Sequence, residues 1–275
     1  MPPLESSLRR DNIGVFHVAS MWSNRRALRL LAIQNLRRTY AGTLGGQLWT
    51  FLTPLFTILI FSVVFAFALK IPLGNAPYIY GFSAAYIPWL LLSLSITGAA
   101  GSLIEHRYLV KRLSFPIEVI PAHKMLVQLL SHTFLLTLVS AVCLTAGYGR
   151  LPMLALVLYF YMCAAIFLIG VGLLVSSITV VVRDFQQMLP SIMQVWFWLT
   201  PIAWDSARLS PQSRALLALN PASYVVSGYR YALMPKIFAA PTVFDTVMFW
   251  TTTLGMLMIG SLCFRRLRSH FWECL

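Results

Sequence analysis

The sequence predicts an all-α integral membrane protein with six transmembrane helices, an amphipathic interface helix near the N-terminus, and a re-entrant helical hairpin on the outer side between spans five and six. Three observations predict it. Hydrophobic residues make up 59% of the 275 and charged residues only 11%, against about 25% charged in soluble domains, and the mean hydropathy is +0.76. Uncharged runs cover residues 39–69, 71–104, 125–149, 151–182, 185–204 and 246–264, each reaching or approaching the roughly 20 residues a helix needs to cross hydrocarbon. A transmembrane barrel would alternate in segments of about 10 residues. These runs continue well beyond that, which excludes a barrel.

The third observation is the distribution of charge. The formal net charge is +13, which in a membrane protein reports topology rather than a nucleic-acid partner. Fifteen of the 21 Lys and Arg residues lie before the first span, in the 105–124 connection, beside Asp184, or after the last span. Lys70, Arg150, Arg208, Arg214, Arg230 and Lys236 fall on the other side. Both termini are therefore expected in the cytoplasm. A seventh crossing between residues 205 and 245 would carry Arg265, Arg266 and Arg268 outside, against the same bias. The opening MPPLESSLRRDN has no apolar stretch after its basic residues, so no cleavable signal peptide is expected and the first span directs insertion.

In chain order, residues 19–40 come first. ASMWSNRRALRLLAIQNLRRTY holds neither Gly nor Pro and is rich in good helix formers. On a helical wheel Leu28, Leu31, Ala32 and Leu36 share one side, with Arg26, Arg29 and Arg37 on the other, while Leu30, Ile33 and Arg38 interrupt the pattern. A helix lying in the cytoplasmic interface fits this face, its Arg heads among lipid phosphates; a solvated basic extension is the alternative.

The first span sets Gln47, Thr50, Pro54 and Thr57 on one helical face. The fifth repeats the device with Gln187, Ser191, Gln194 and Trp198. In hydrocarbon such stripes either bond a neighbouring helix or line a wet passage. Taken as a pair, and interleaved with Trp49, Trp196 and Trp198, they lean towards a passage for uncharged hydroxylated molecules such as sugars, although tryptophans also form interfacial belts.

No acidic residue interrupts a span, so an ion-coupled carrier lacks its usual carboxylate. His132 is the titratable candidate within the third span, and a lone intramembrane His reads first as a hydrogen-bonded packing residue. There is no GxxxxGK[ST] loop, no HExxH and no GxSxG, so the sequence shows no recognisable means of hydrolysing ATP or cutting a bond. Cys143, Cys163, Cys263 and Cys274 form no CxxC pair, and neither a disulfide framework nor a metal site is indicated. Energy must come from another protein.

Residues 205–245 are cut by Pro211, Pro221, Pro235 and Pro241, which forbids one continuous span. Two short helices, 211–219 and 222–234, with Asn220 and Pro221 at their corner, would dip into the outer leaflet and return. Tyr224, Tyr229 and Arg230 would then sit near an outer mouth. A surface-lying amphipathic loop fits this stretch equally.

The largest cytoplasmic connection is EHRYLVKRLSFPIEVIPAHK, residues 105–124. Residues 105–113 can form about two helical turns, stopped by Pro116, which disfavours α geometry at Phe115. Tyr108, Leu109 and Leu113 would give apolar contacts, and Glu105, Arg107, Lys111 and Arg112 polar ones, on a rigid peg presented to a partner. A solvated turn is the alternative.

LVKRLSFPIEVIP in this connection resembles the coupling segment of membrane subunits of ABC-2 type exporters, particularly those of O-antigen and related polysaccharides. RTYAGTLGGQLWTFLTPL, VVRDFQQMLPSIMQVWFWLTPIAW and LLALNPASYVVSGYRYAL match in the same order, and the resemblance runs from about Arg25 to Arg266. It implies a half-transporter in a bacterial inner membrane that pairs with a second copy of itself and with two copies of a separate ATP-binding subunit. ATP and Mg would be held by that subunit, and this chain would bind no cofactor. The cargo implied is a polysaccharide on a polyprenyl lipid carrier. By the same resemblance the 105–115 segment seats in the ATPase, spans one and five wall the channel, the 211–234 hairpin is an outer gate, and Arg183 with Asp184 matches an RD motif. The tail SHFWECL departs from the family pattern. A drug or lipid exporter of the same superfamily, an ion-driven carrier and a membrane transferase are the alternatives.

Overall fold

The computed structural model describes residues 24–40, 48–111 and 115–271. Among them, secondary structure is helical apart from one isolated bridge between Leu73 and Ala76. Five helical stretches are long and apolar enough to cross a bilayer: Leu48–Ala68, Tyr78–Glu105, Val119–Thr145, Leu151–Val181 and Val243–Leu267.

Helix α1 (Arg25–Tyr40) docks on α5 (Val119–Thr145). Among its described side chains, those of residues 25–35, Leu31 and Ala32 are buried and Leu28 is half-buried, while Arg26, Arg29, Leu30 and Ile33 are exposed. The two apolar residues that spoil the wheel are thus on the open side. Asn35 Nδ2 lies 3.3 Å from His123 Nε2 and ties α1 to α5.

Helix α2 (Leu48–Ser62) continues as a π-helical turn over Val63–Ala68 and rests on α3 (Tyr78–Glu105). It is the least covered of the five stretches, with Leu52, Phe56, Leu59 and Ile60 open to the surroundings. The preceding uncharged run extends further in sequence, but residues 41–47 lie outside the described part. The second span starts at Tyr78 instead of residue 71, because Pro72, Pro77 and a left-handed Gly74 (φ 68°) turn the chain so that Leu73 inserts into the core.

Helix α3 is the most buried of the five and contacts α2, α5, α6 (Leu154–Val181) and α9 (Pro221–Leu233). It ends at Glu105, where His106 leaves helical geometry (φ −109°) and turns its Nδ1 to the Ser102 carbonyl at 3.0 Å. Helix α4 is then only the single turn Arg107–Val110, shorter than the two turns expected, and Glu105 belongs to α3. Helix α5 begins at Val119, six residues before the uncharged run, because Pro121 falls in its first turn, where its missing N–H costs nothing.

Helix α6 crosses α10 (Val243–Leu267) backbone to backbone. A Cβ on Gly260 would stand 2.2 Å from the Gly170 carbonyl oxygen, and one on Gly170 would stand 2.6 Å from the Leu257 nitrogen. Small residues let apolar helices approach this closely, which in lipid replaces the missing hydrophobic drive between them.

Helix α7 (Asp184–Leu199) has 16 residues, about 24 Å of rise. It stops short of the expected residue 204 because Pro201 follows and residues 200–204 run non-helically. Helices α8 (Pro211–Leu217) and α9 form the broken pair expected at 211–234, with Asn220 capping α9. The bundle has one end carrying α1, α4 and the Arg265, Arg266 and Arg268 cluster, here called the basic end, and an opposite end carrying α8 and α9.

Candidate functional site

On α7, Leu189, Met193 and Phe197 repeat every four residues and are buried against the bundle. The opposite face holds Gln187, Ser191, Gln194 and Trp198, all four exposed. The helix is therefore amphipathic with its amide, hydroxyl and indole groups turned away from its own chain. Asp184 stands in its first turn, where a carboxylate complements the positive end of the helix dipole, and Arg183 is the residue before it. Gly101 of α3 passes so close that a Cβ there would meet the Gln186 side chain at 2.6 Å.

The α2 row is oriented differently. Pro54 is buried, Thr50 and Thr57 are half-buried, Thr57 donates to the Thr53 carbonyl at 3.1 Å, and Trp49 is exposed. Gln47 lies outside the described residues. One polar row is thus turned towards α3 and the other is open. The two helices meet through Phe61, whose ring lies 5.8 Å from Phe197 and 6.4 Å from Trp198. Phe61 also stacks on Phe82 at 4.8 Å, anchoring the contact in the core.

Of the expected gate residues, Asn220 and Arg230 bond the C-terminal end of α7 and the segment that follows it, whereas Tyr224 and Tyr229 turn to α6 and α5. Asn220 accepts the Trp196 indole N–H at 2.8 Å and the Ala222 N–H at 3.1 Å, and donates to Thr200 Oγ1 at 3.0 Å. It caps α9 and fastens it to α7 at once, while Pro221 occupies the first helical position, where its fixed φ is favourable. Tyr224 and Tyr159 share a hydroxyl contact at 3.1 Å, and the Trp250 indole donates to Tyr159 at 3.3 Å. Tyr229 is fully buried with its hydroxyl 3.0 Å from His132 Nε2, so the intramembrane histidine is held in a packing hydrogen bond.

Arg230 is only 3% exposed. Its guanidinium donates to the carbonyls of Gly81 at 3.0 Å, Pro201 at 2.5 Å, Ile202 at 2.6 Å and Trp204 at 3.4 Å, and lies 5.2 Å over the Phe238 ring. Tyr78 takes the remaining Ala203 carbonyl at 2.8 Å. Buried non-helical backbone must find partners within the protein, and a fork of five donors suits a run of parallel carbonyls.

At the basic end, Arg107, Tyr108 and Lys111 are exposed, Leu109 is half-buried and Val110 is fully buried. Glu105 pairs with Lys124 at 2.7 Å, joining the ends of α3 and α5. Arg112 and Leu113 lie outside the described residues. Glu118, itself buried, accepts from Arg268 at 3.1 Å, and Phe271 packs on Phe264 beneath α4. No group of three or more metal-ligating side chains occurs among the described residues. Sequence reasoning missed Tyr78, Phe61 and Trp196 as members of the α7 and α9 junction. Only Trp196 carried a signal, as one of the tryptophans interleaved with the polar row.

Lipid-length helices packed around the buried α9, with an uncharged polar row left open on one side, define a multi-pass membrane protein. Residues 26–234 match the family described as ABC-2 type transporter, and the chain belongs to that family. It is similar to the O-antigen export system permease protein RfbA of Myxococcus xanthus, 26% identical over 217 residues, covering 78% of this chain and 82% of that protein. Two proteins of the same description from Klebsiella pneumoniae are 23% and 22% identical over 245 residues, each match covering 88% of this chain and 92% of the relative.

Proposed function

We propose that this chain is the membrane-spanning half of an ATP-driven exporter that moves a polysaccharide such as O-antigen, on a polyprenyl lipid carrier, out across a bacterial inner membrane. The observation that carries the reading is the open Gln187, Ser191, Gln194 and Trp198 row on a helix whose other face is buried. Exposed amides and hydroxyls at membrane depth call for a second protein surface or a wet path. Amides and hydroxyls exchange hydrogen bonds with sugars, and indole rings stack on sugar faces. Many weak, similar contacts let a polymer advance, since conduction needs binding firm enough for admission and loose enough for release. The relatives, O-antigen export permeases by name, support the same cargo.

In this reading a second copy faces α2 and α7, Trp49, Thr50 and Thr57 stand beside the path, and Gln47 opens it. The basic end is cytoplasmic, following the positive charge. There Glu105, Arg107, Tyr108, Leu109, Lys111, Arg112 and Leu113 meet one of two ATP-binding subunits, which hold ATP and Mg. Helix α7 with residues 200–204 is the sixth crossing, and α8 with α9 forms a re-entrant gate. Closure of the ATP-binding subunits moves α4 and α1, and shifts α7 against α2 of the partner copy. The experiment is deletion of the gene in its host, with lipid-linked polysaccharide measured on both sides of the inner membrane. Accumulation inside with loss from the surface is expected; two unchanged pools, with lost resistance to a drug, would sink the reading in favour of a small-molecule exporter.

A further inference from the structure

Helices α5 and α6 follow one another in the chain, yet α5 packs mainly on α3, α6 packs mainly on α3 and α10, and the two meet each other only lightly. A groove of about 270 Å³ is left between them. Leu136 of α5 and Leu154, Val157 and Leu158 of α6 supply its apolar walls, and Thr133, Thr137 and Leu158 are exposed along it, so it opens on the outside of the bundle. From Leu154, where α6 begins, to Tyr161 the groove runs seven residues inward, about 10 Å of rise. Three of its hydroxyls are already answered: Thr133 and Tyr161 donate to the Leu129 carbonyl at 2.9 and 3.2 Å, and Thr137 donates to the Thr133 carbonyl at 2.8 Å. A hydrocarbon chain laid here need supply no hydrogen bond to them. Neither α2 nor α7 lines the groove, which sets it apart from the proposed path.

We propose that this groove holds one acyl chain of an anionic phospholipid whose phosphate is met by Arg150 and Lys236. The charge at the groove's opening decides for such a lipid. The Arg150 carbonyl accepts the Met153 N–H at 3.0 Å, so Arg150 stands within about one helical turn of Leu154. Lys236, from the segment after α9, donates Nζ to the Gly147 carbonyl at 3.3 Å in the same connection. An ammonium has three donors, so two remain for a ligand. Both residues are exposed, neither is paired with a carboxylate among the described residues, and no acidic residue occurs between Glu118 and Asp184. Two of the six cations assigned to this side of the membrane thus flank one short connection, on the side where the positive-inside bias leaves Lys and Arg scarce.

A polyprenyl phosphate carries the same two features, an apolar chain and a phosphate. The groove's place decides against it, since a carrier seated between α5 and α6 would hold its glycan away from the α7 row. The phospholipid is therefore a resident of the transporter. Its chain fills the gap between α5 and α6, and its phosphate braces the connection that Lys236 ties to the end of α9.

The test uses the complete transporter, this chain with its ATP-binding subunit, titrated in detergent with phosphatidylglycerol or with phosphatidylethanolamine of the same chains, and native mass spectrometry counts the bound lipid. The wild type should retain phosphatidylglycerol at about tenfold lower concentration or better. Arg150→Gln and Lys236→Gln should each weaken that lipid about fivefold and leave phosphatidylethanolamine unchanged, while Lys70→Gln, an exposed cation of the α2 to α3 connection, alters neither. Thr137→Phe, which places a ring in the groove, should weaken both lipids. All these side chains are exposed, so unaltered melting temperatures are expected and separate lost binding from lost fold. Equal retention of the two lipids by the wild type, or an undiminished preference in both charge variants, overturns the proposal. Displacement of phosphatidylglycerol by a lower concentration of polyprenyl phosphate would also overturn it, assigning the groove to the carrier instead.

Discussion

Replacing Arg230 by Met should free the buried non-helical segment that follows α7. The side chain makes three contacts of 2.5–3.0 Å with carbonyls of Pro201, Ile202 and Gly81. Hydrogen bonds from a charged donor contribute about 1.5–3 kcal/mol each, and the cost of burying the guanidinium, several kcal/mol, offsets much of the gain. A net loss of about 2–4 kcal/mol remains, a roughly 30- to 1,000-fold rise in local opening. The loss falls on residues 200–204, because Tyr78 holds only Ala203 there. Hydrogen–deuterium exchange of the purified transporter should show faster exchange over residues 200–204 and the start of α9, and slower export. Arg230→Lys should recover only part, since an ammonium cannot span the same carbonyls. Wild-type exchange over residues 200–204 in Arg230→Met would refute the clamp.

Three further outcomes follow from particular contacts. Asn220→Ala removes the α9 cap and the Trp196 bond, costing about 1–2 kcal/mol, and should lower the melting temperature while freeing Trp196 fluorescence from its present environment. Gly260→Leu drives a side chain into the Gly170 backbone, and a loss of about 1–3 kcal/mol or more from overpacking should appear as reduced thermal stability in detergent; unaltered stability would mean that α6 and α10 do not touch there. Tyr108→Asp, at an exposed position of α4, should leave the partner's ATPase running while export falls, and full export in that variant would remove α4 from the coupling contact.

The five long stretches were legible because uncharged length is itself the signal, and the two short helices α8 and α9 were legible because prolines punctuate them. The ends were not. Helix α7 stops early through Pro201 and a clamp whose donor lies some thirty residues downstream, a pairing that no local pattern reveals. Helix α4 is one turn long, separated from α3 where His106 leaves helical geometry, and Glu105 pairs with Lys124 across the ends of α3 and α5, a contact between residues nineteen apart that no local pattern reveals. Spacing made the rows on α2 and α7 look alike, since it tells which residues share a face and not where that face points.

ATP-driven movement of the polymer is the central claim, and inverted inner-membrane vesicles holding this chain and its ATP-binding subunit test it most directly. Lipid-linked polysaccharide on the outer face of such vesicles is open to an added glycosidase until it is transported. ATP should make it resistant, and a Gln194→Leu variant should slow that gain. Polymer that stays equally digestible with ATP and without it would contradict the account.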